Sequence, residues 1–177
     1  MSGPPGESIP RFLADVNVGR LGKWLRAMGY DVLPAPHTSD FSLLSLAQQE
    51  GRVLLTRDRR LALAPAVRTG KVRLLLVHSE RLPEQLQQVL AWPGLGPPRP
   101  FTRCILCNTP LVPATPQVVA AKAPPYVLHT QRAFRQCPTC GRLYWRGSHW
   151  QRMQHLLTLV SPHADPGSVY EHGSLRL

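Results

Sequence analysis

The chain reads as an α/β protein, a mainly parallel sheet flanked by helices, with a small four-cysteine zinc ribbon attached. Three observations predict this. Short apolar runs alternate with amphipathic helical stretches over residues 11–92, the pattern of strands joined by right-handed crossovers. The composition then shifts, with ten of the nineteen prolines between positions 93 and 138. All four cysteines fall in that same half, as two Cys-x-x-Cys pairs.

The elements follow in order. Residues 11–15 form a first strand ending in Asp15. Residues 20–29 carry Leu21, Trp24, Leu25 and Met28 at helical spacing, with Arg20, Lys23 and Arg26 on the other face. Gly29 suits the residue after that helix. Residues 30–33 make a second strand, cut off by Pro34 and Pro36, and Asp31 begins it in solvent. Thr38 or Ser39 caps a helix bearing Phe41, Leu44, Leu46 and Ala47, and Gly51 stops it. Val53, Leu54 and Leu55 are apolar in succession, which fits a strand buried on both faces. Thr56 closes it, and Asp58 stands beyond its carboxyl end among Arg57, Arg59 and Arg60.

Residues 60–68 form a short helix that Pro65 forces to start late or kink. Residues 71–77 are a further strand, and 83–92 a helix with Leu86, Val89 and Leu90 inward. The proline-rich stretch 93–138 should hold loops, turns and short edge strands rather than regular helix. Residues 142–145 return to strand, and Ser148 caps a last helix with Trp150, Met153, Leu157 and Val160 on one stripe. The expected organisation is a sheet domain over 11–92, a ribbon with its helix over 101–160, and flexible tails at 1–10 and 161–177.

At 177 residues and 43% hydrophobic composition the chain can bury one moderate core and a small satellite. Lys and Arg number 21 against 10 Asp and Glu, a net charge of +11 with a pI near 10.6. Such an excess favours a polyanionic partner. A membrane is disfavoured, because no apolar run approaches the eighteen or so residues of a spanning helix. The first residues lack a secretory pattern, and paired cysteines without one argue for metal rather than disulfides. An intracellular, reducing compartment is expected, with nucleus and cytosol undistinguished.

Cys104 and Cys107, then Cys137 and Cys140, form two knuckles with 29 residues between them. Four thiolates close a tetrahedral zinc shell with no open position, the structural arrangement. Gly141 and Asn108, each following a knuckle, suit backbone of positive φ that turns N–H groups toward sulfur.

The acids offer a second chemistry. Asp15 and Asp58 each follow an apolar strand, and Asp40 opens a helix. In a parallel sheet the strand-end acids share the edge where ligands bind. Three carboxylates there repel unless a cation neutralises them, and oxygen-only ligands favour magnesium or manganese. Such an ion activates water and stabilises the leaving oxygen of a phosphodiester. Glu80 is a possible fourth ligand. Arg20, Lys23, Arg57 and Arg60 could bind substrate phosphates, and Arg132, Arg135, Arg142 and Arg146 offer another track. Asn17 either orients a metal-bound water or shapes the turn after Asp15.

Phe12-Leu-Ala-Asp15, Gly19-Arg-Leu-Gly-Lys-Trp-Leu-Arg26, Gly29-Tyr-Asp31, Leu55-Thr-Arg-Asp58, both knuckles and Tyr144-Trp-Arg-Gly-Ser-His-Trp150 resemble the Mut-seven C-terminal ribonuclease family. That family has a PIN-like nuclease domain with a zinc ribbon and, in animals, ends proteins resembling the 3′–5′ exonuclease domain-containing group. The resemblance covers residues 11–153, without a preceding exonuclease domain, as in a short form or an isolated module. It implies a PIN-like fold and metal-dependent RNA cleavage, with Asp15, Asp40 and Asp58 as the matching acids. PIN enzymes commonly carry a fourth acid, where this chain offers Ser79 or Glu80. The competing readings are a non-catalytic RNA-binding or scaffolding module that keeps the fold, and a nuclease directed at DNA.

Overall fold

The computed structural model describes residues 9–160. The expected tails therefore lie outside the described residues, apart from residues 9 and 10. The described chain divides into two compact units, residues 9–22 with 31–97, and residues 23–30 with 98–160.

The first unit is built on four parallel strands, β1 (Phe12–Ala14), β2 (Val32–Pro34), β3 (Val53–Thr56) and β4 (Leu74–Leu76), in the order β2-β1-β3-β4. β1 and β3 are buried along their whole length, as interior strands of a sheet covered on both faces must be. β2 is an edge strand, so it ends on Pro34 at no cost in ladder hydrogen bonds. The sequence had marked Pro34 as the residue that ends this strand, and it instead forms the strand's last pair. β4 is shorter than the expected 71–77.

Helix α1 (Gly19–Ala27) follows a 3₁₀ turn over Val16–Val18. Leu21, Leu25 and Met28 are fully buried, as their spacing requires. Arg26 is a correction, being only 3% exposed rather than part of a solvated basic face. Helix α2 (Asp40–Gln49) is capped by the Ser39 hydroxyl, which accepts from the Ser42 N–H. Its inward stripe is Leu43 and Ala47, packed with Leu13, Leu54, Leu61 and Val72, while Leu44 and Leu46 lie at the margin. Phe41, expected inside, is 80% exposed, because it lies two residues, about 200° around the helix, from the buried Leu43.

The stretch 60–68 is two short helices, α3 (Arg59–Ala62) and α4 (Pro65–Arg68), split because Pro65 lacks the N–H to continue one helix. Helix α5 (Leu82–Leu90) buries Leu82, Leu86 and Val89. Asp31 is also corrected. It does not stand in solvent but pairs with the buried Arg52 at 2.6 Å, and Arg52 donates further to the Phe12 carbonyl.

The second unit holds a three-stranded antiparallel sheet, β5 (Val112–Pro113), β6 (Phe134–Gln136) and β7 (Leu143–Trp145). The proline-rich stretch contains two helices where none was expected, α6 (Pro116–Lys122) and α7 (Pro125–Thr130). Each begins at proline, whose missing N–H is unneeded in the first turn. Helix α8 (Ser148–Val160) buries Met153, Leu157 and Val160. Residues 23–30 belong here through their own bonds. The Arg99 N–H donates to the Met28 carbonyl, and Gly29 has φ +93°. A Cβ on Gly29 would come within 2.0 Å of the Arg99 oxygen, so only glycine fits.

Candidate functional site

The strand order puts a topological switch point between β1 and β3. The chain leaves β1 for β2 on one side and returns to β3 on the other, and ligands bind at the carboxyl ends of such a pair. Asp15 and Asp58 stand at those two ends. The pairing of Ala14 with Leu55 brings Asp15 beside Thr56, and the Asp15 N–H donates to the Leu55 carbonyl.

Thr56 is fully buried, and its hydroxyl ties the edge together. It donates to Asp15 Oδ2 at 2.6 Å, and accepts from the Asp58 N–H at 3.0 Å and from Asn17 Nδ2 at 3.2 Å. Asn17 also donates to Asp15 Oδ2 at 2.7 Å, while its Oδ1 accepts the Arg57 N–H at 3.0 Å. Asp15 Oδ1 caps the following turn by accepting from the Val16 N–H. Both carboxylate oxygens of Asp15 are thus engaged.

Asp58 caps α3, its Oδ1 accepting from the Arg60 N–H at 2.8 Å. Its Oδ2 faces the Arg60 guanidinium at 3.3 Å, and these hydrogen bonds hold its carboxyl below the usual carboxylate range. Arg60 is raised in turn, by its hydrogen bond to Asp58, by the charge of Asp58, and then by the charge of Asp40. Asp40 lies in the exposed first turn of α2. One guanidinium therefore feels the negative charge of both Asp58 and Asp40.

The three carboxylates do not gather. Among the described residues, the only set of three or more metal-binding side chains whose ligand atoms lie within 4.8 Å of one another is the cysteine set. The other sequence candidates are scattered in their roles. Arg57 pairs with Glu80 at 2.6 Å, so each neutralises the other. Arg20 and Lys23 are exposed on α1. Ser79 hydrogen-bonds Glu84 at the start of α5.

Cys104, Cys107, Cys137 and Cys140 do come together. Their sulfurs lie 3.6 Å (Cys104–Cys107), 3.7 Å (Cys104–Cys140) and 4.0 Å (Cys107–Cys137) apart. A tetrahedron with zinc–sulfur bonds of about 2.3 Å has edges of roughly 3.8 Å, so the donor set fits zinc. The two knuckles repeat one geometry. Asn108 at φ +64° and Gly141 at φ +70° turn the chain as expected, and their N–H groups donate to the Cys104 and Cys137 carbonyls. The Cys107 and Cys140 N–H groups point at the Cys104 and Cys137 sulfurs.

Two residues outside the knuckles shape the centre. The Tyr144 hydroxyl sits 3.1 Å from Cys104 Sγ and accepts from the Ile105 N–H. Arg26 Nε donates to the Ile105 carbonyl at 2.7 Å. Burial pulls the Arg26 guanidinium down, and Cys104 and Cys107 oppose that loss of charge. At Cys104 burial pushes the thiol up, but hydrogen bonds from the Cys107 N–H, Tyr144 and the Leu106 N–H outweigh it and bring it down to about 6. Cys107 is pushed up to about 12, first by its thiol contact with Cys140, then by burial.

Thr56, Tyr144 and the buried Arg26 were not singled out from sequence. A hydroxyl ending a fully buried strand needs a partner, and that requirement alone could have flagged Thr56.

Residues 10–157 match the Mut7-C RNAse domain. The chain belongs to the Mut7-C RNAse domain family. No curated protein and no solved structure matches it. Membership of the Mut7-C family makes the chain a ribonuclease-type nuclease with a nucleic-acid substrate, on a parallel α/β sheet with a four-cysteine ribbon. Among the described residues no helix is long and apolar enough to cross a membrane.

Proposed function

We propose that this Mut7-C chain is a metal-dependent ribonuclease that hydrolyses RNA phosphodiester bonds at the edge bearing Asp15, Asp40 and Asp58. One observation carries the reading. The Thr56 hydroxyl binds the Asp15 carboxylate and the Asp58 backbone at the switch point of the sheet, which ties two strand-end acids to one sheet edge.

The oxygen donors suit a hard ion, magnesium or manganese, rather than zinc. Asp58 and Asp40 would hold it once the exposed Arg60 turns outward, with Asp15 the neighbouring carboxylate. Bound there, the ion supplies an activated water and a counter-charge for the leaving oxygen. The chain supplies position. Thr56 and Asn17 lock Asp15 in one rotamer, and Asn17 pins the Arg57 N–H so that the loop to Asp58 keeps its place. Arg20, Lys23, Arg57 and Arg60 receive backbone phosphates, the last two after leaving Glu80 and Asp58. The cysteines hold a structural zinc, the ribbon aids RNA docking, and free thiols suit a reducing, intracellular compartment.

A second reading is a binding module that keeps the fold without cleaving. It is favoured by the full engagement of Asp15 and the ungathered carboxylates. Cleavage of labelled single-stranded RNA in manganese decides between them. The Asp58→Asn chain, its zinc content and Tm unchanged, should cleave at least about a hundredfold more slowly than the parent. Equal rates would remove Asp58 from the site, and a parent that binds RNA without cutting it would leave the binding module.

A further inference from the structure

The two units differ in charge more than in size. Residues 9–22 and 31–97 hold ten Lys and Arg against seven Asp and Glu, whereas residues 23–30 and 98–160 hold ten Lys and Arg and no carboxylate at all. A tetrathiolate zinc centre subtracts only two charges from that excess. In the sheet unit four of the ten cations are paired with acids, Arg52 with Asp31, Arg57 with Glu80, Arg60 with Asp58 and Arg81 with Glu84. The ribbon unit has no acid with which to answer its own.

Its small sheet also presents an aromatic pair. Phe134 on β6 is the register partner of Trp145 on β7, with ring centroids 6.5 Å apart. Successive strand residues point to opposite faces. Tyr144 faces the cysteine centre, where it meets Cys104. Trp145 and its partner Phe134 therefore lie on the face turned away from the cysteines, and both rings are half-buried rather than enclosed. Arg132 and Arg146, both exposed, flank the pair in sequence. Arg146 is held over the Trp150 ring at 5.2 Å, and Trp150 is met edge-on by Phe101.

From these observations we infer that the outer face of the ribbon sheet is a docking surface for single-stranded RNA, whose bases stack on Phe134 and Trp145 while Arg132 and Arg146 take the phosphates. The inference deepens the ribonuclease reading, which supplies RNA as the polyanion. Charge alone would accept any polyanion. The aromatic pair selects strands whose bases are free to leave their neighbours, and stacking on it is tolerant of sequence.

The test uses the full zinc-loaded chain and fluorescein-labelled single-stranded RNA, with anisotropy read over a range of salt without magnesium or manganese, so that binding is measured apart from cleavage. Replacing Arg132 and Arg146 together by Ala should flatten the slope of log K against log salt by about 1.4 units, roughly 0.7 per phosphate contact. Trp145→Leu should weaken binding about tenfold with the slope unchanged, and Trp145→Phe should restore most of it. Duplex RNA of equal length should compete poorly with the single strand.

Because Trp145 is half-buried, zinc content is measured on each variant. The exposed arginines carry the test if Trp145→Leu fails to hold zinc. An unchanged slope in the double variant overturns the proposal. So does equal competition by duplex RNA, or a double variant that loses binding to phosphatidylserine vesicles while its RNA binding is untouched. A parent that never cleaves RNA, with binding still falling in these variants, would defeat the ribonuclease reading and leave this surface standing. Normal cleavage with unchanged binding would do the reverse.

Discussion

The cysteine centre and the acidic edge are both sets of ionisable ligands, yet they are prepared in opposite ways. The four sulfurs are already gathered within 4.8 Å, with backbone N–H groups aimed at two of them. The carboxylates form no such group, and two of them have partners of their own. Asp15 is held by Thr56 and Asn17, Asp58 by Arg60, and Asp40 sits in the exposed first turn of a helix. Thiols are weak hydrogen-bonding groups that are mostly neutral at pH 7, so backbone turns alone can bring four of them into contact. Carboxylates repel, and each recruits donors until something more positive arrives. A closed site is thus encoded in backbone conformation, and an exchangeable one in side-chain networks.

The largest effect should come from Cys137→Ser. A structural tetrathiolate zinc contributes on the order of 10 kcal/mol to the folding of a small domain. The variant should lose its zinc and the amide-exchange protection of residues 98–160, and of residues 23–30 with them. The β1 and β3 amides should stay protected. Collapse of those too would mean that the sheet unit does not fold apart from the zinc.

Thr56→Val comes next. It keeps the shape while removing a hydroxyl that serves Asp15, Asn17 and the Asp58 N–H, leaving buried groups unsatisfied. A loss of about 2–3 kcal/mol in urea denaturation is expected. A change under about 0.5 kcal/mol would mean the acidic edge does not depend on this network.

The cysteine centre was legible from sequence down to the φ > 0 residues Asn108 and Gly141, because its geometry is local. The parallel sheet and the positions of Asp15 and Asp58 after apolar strands were legible for the same reason. What binds distant residues was not. Arg26 has the spacing of a solvent-facing cation, and its bond to Ile105, far along the chain, helps hold it inside. Asp31 finds Arg52 by the pairing of strands. Pro116 and Pro125 were read as helix breakers, although they sit where helices begin. Phe41 fits a helical stripe by counting, yet lies on the side of α2 away from the buried Leu43 and Ala47.

A smaller effect separates the two roles of Asp58. Asn caps a helix as well as Asp, so Asp58→Asn should shift the Tm at pH 7 by no more than about 3 °C. The Asp58 carboxyl lies below its ordinary range because of Arg60. Its contribution is therefore present above the ordinary carboxylate pKa and lost as pH falls through the lowered value. Between pH 7 and pH 3 the parent should lose slightly more stability than Asp58→Asn, as read by urea midpoints. Parallel curves would mean that the pair with Arg60 contributes nothing.

The most direct measurement is single-turnover cleavage of single-stranded RNA as manganese is titrated into desalted, zinc-replete protein, with Asp40→Asn beside the parent. The account expects no cleavage before manganese is added, a saturable rise for the parent, and for Asp40→Asn a midpoint about tenfold or more higher with one zinc per chain retained. Full-rate cleavage before any manganese is added, or identical curves for the two proteins, would refute a metal site built on these acids.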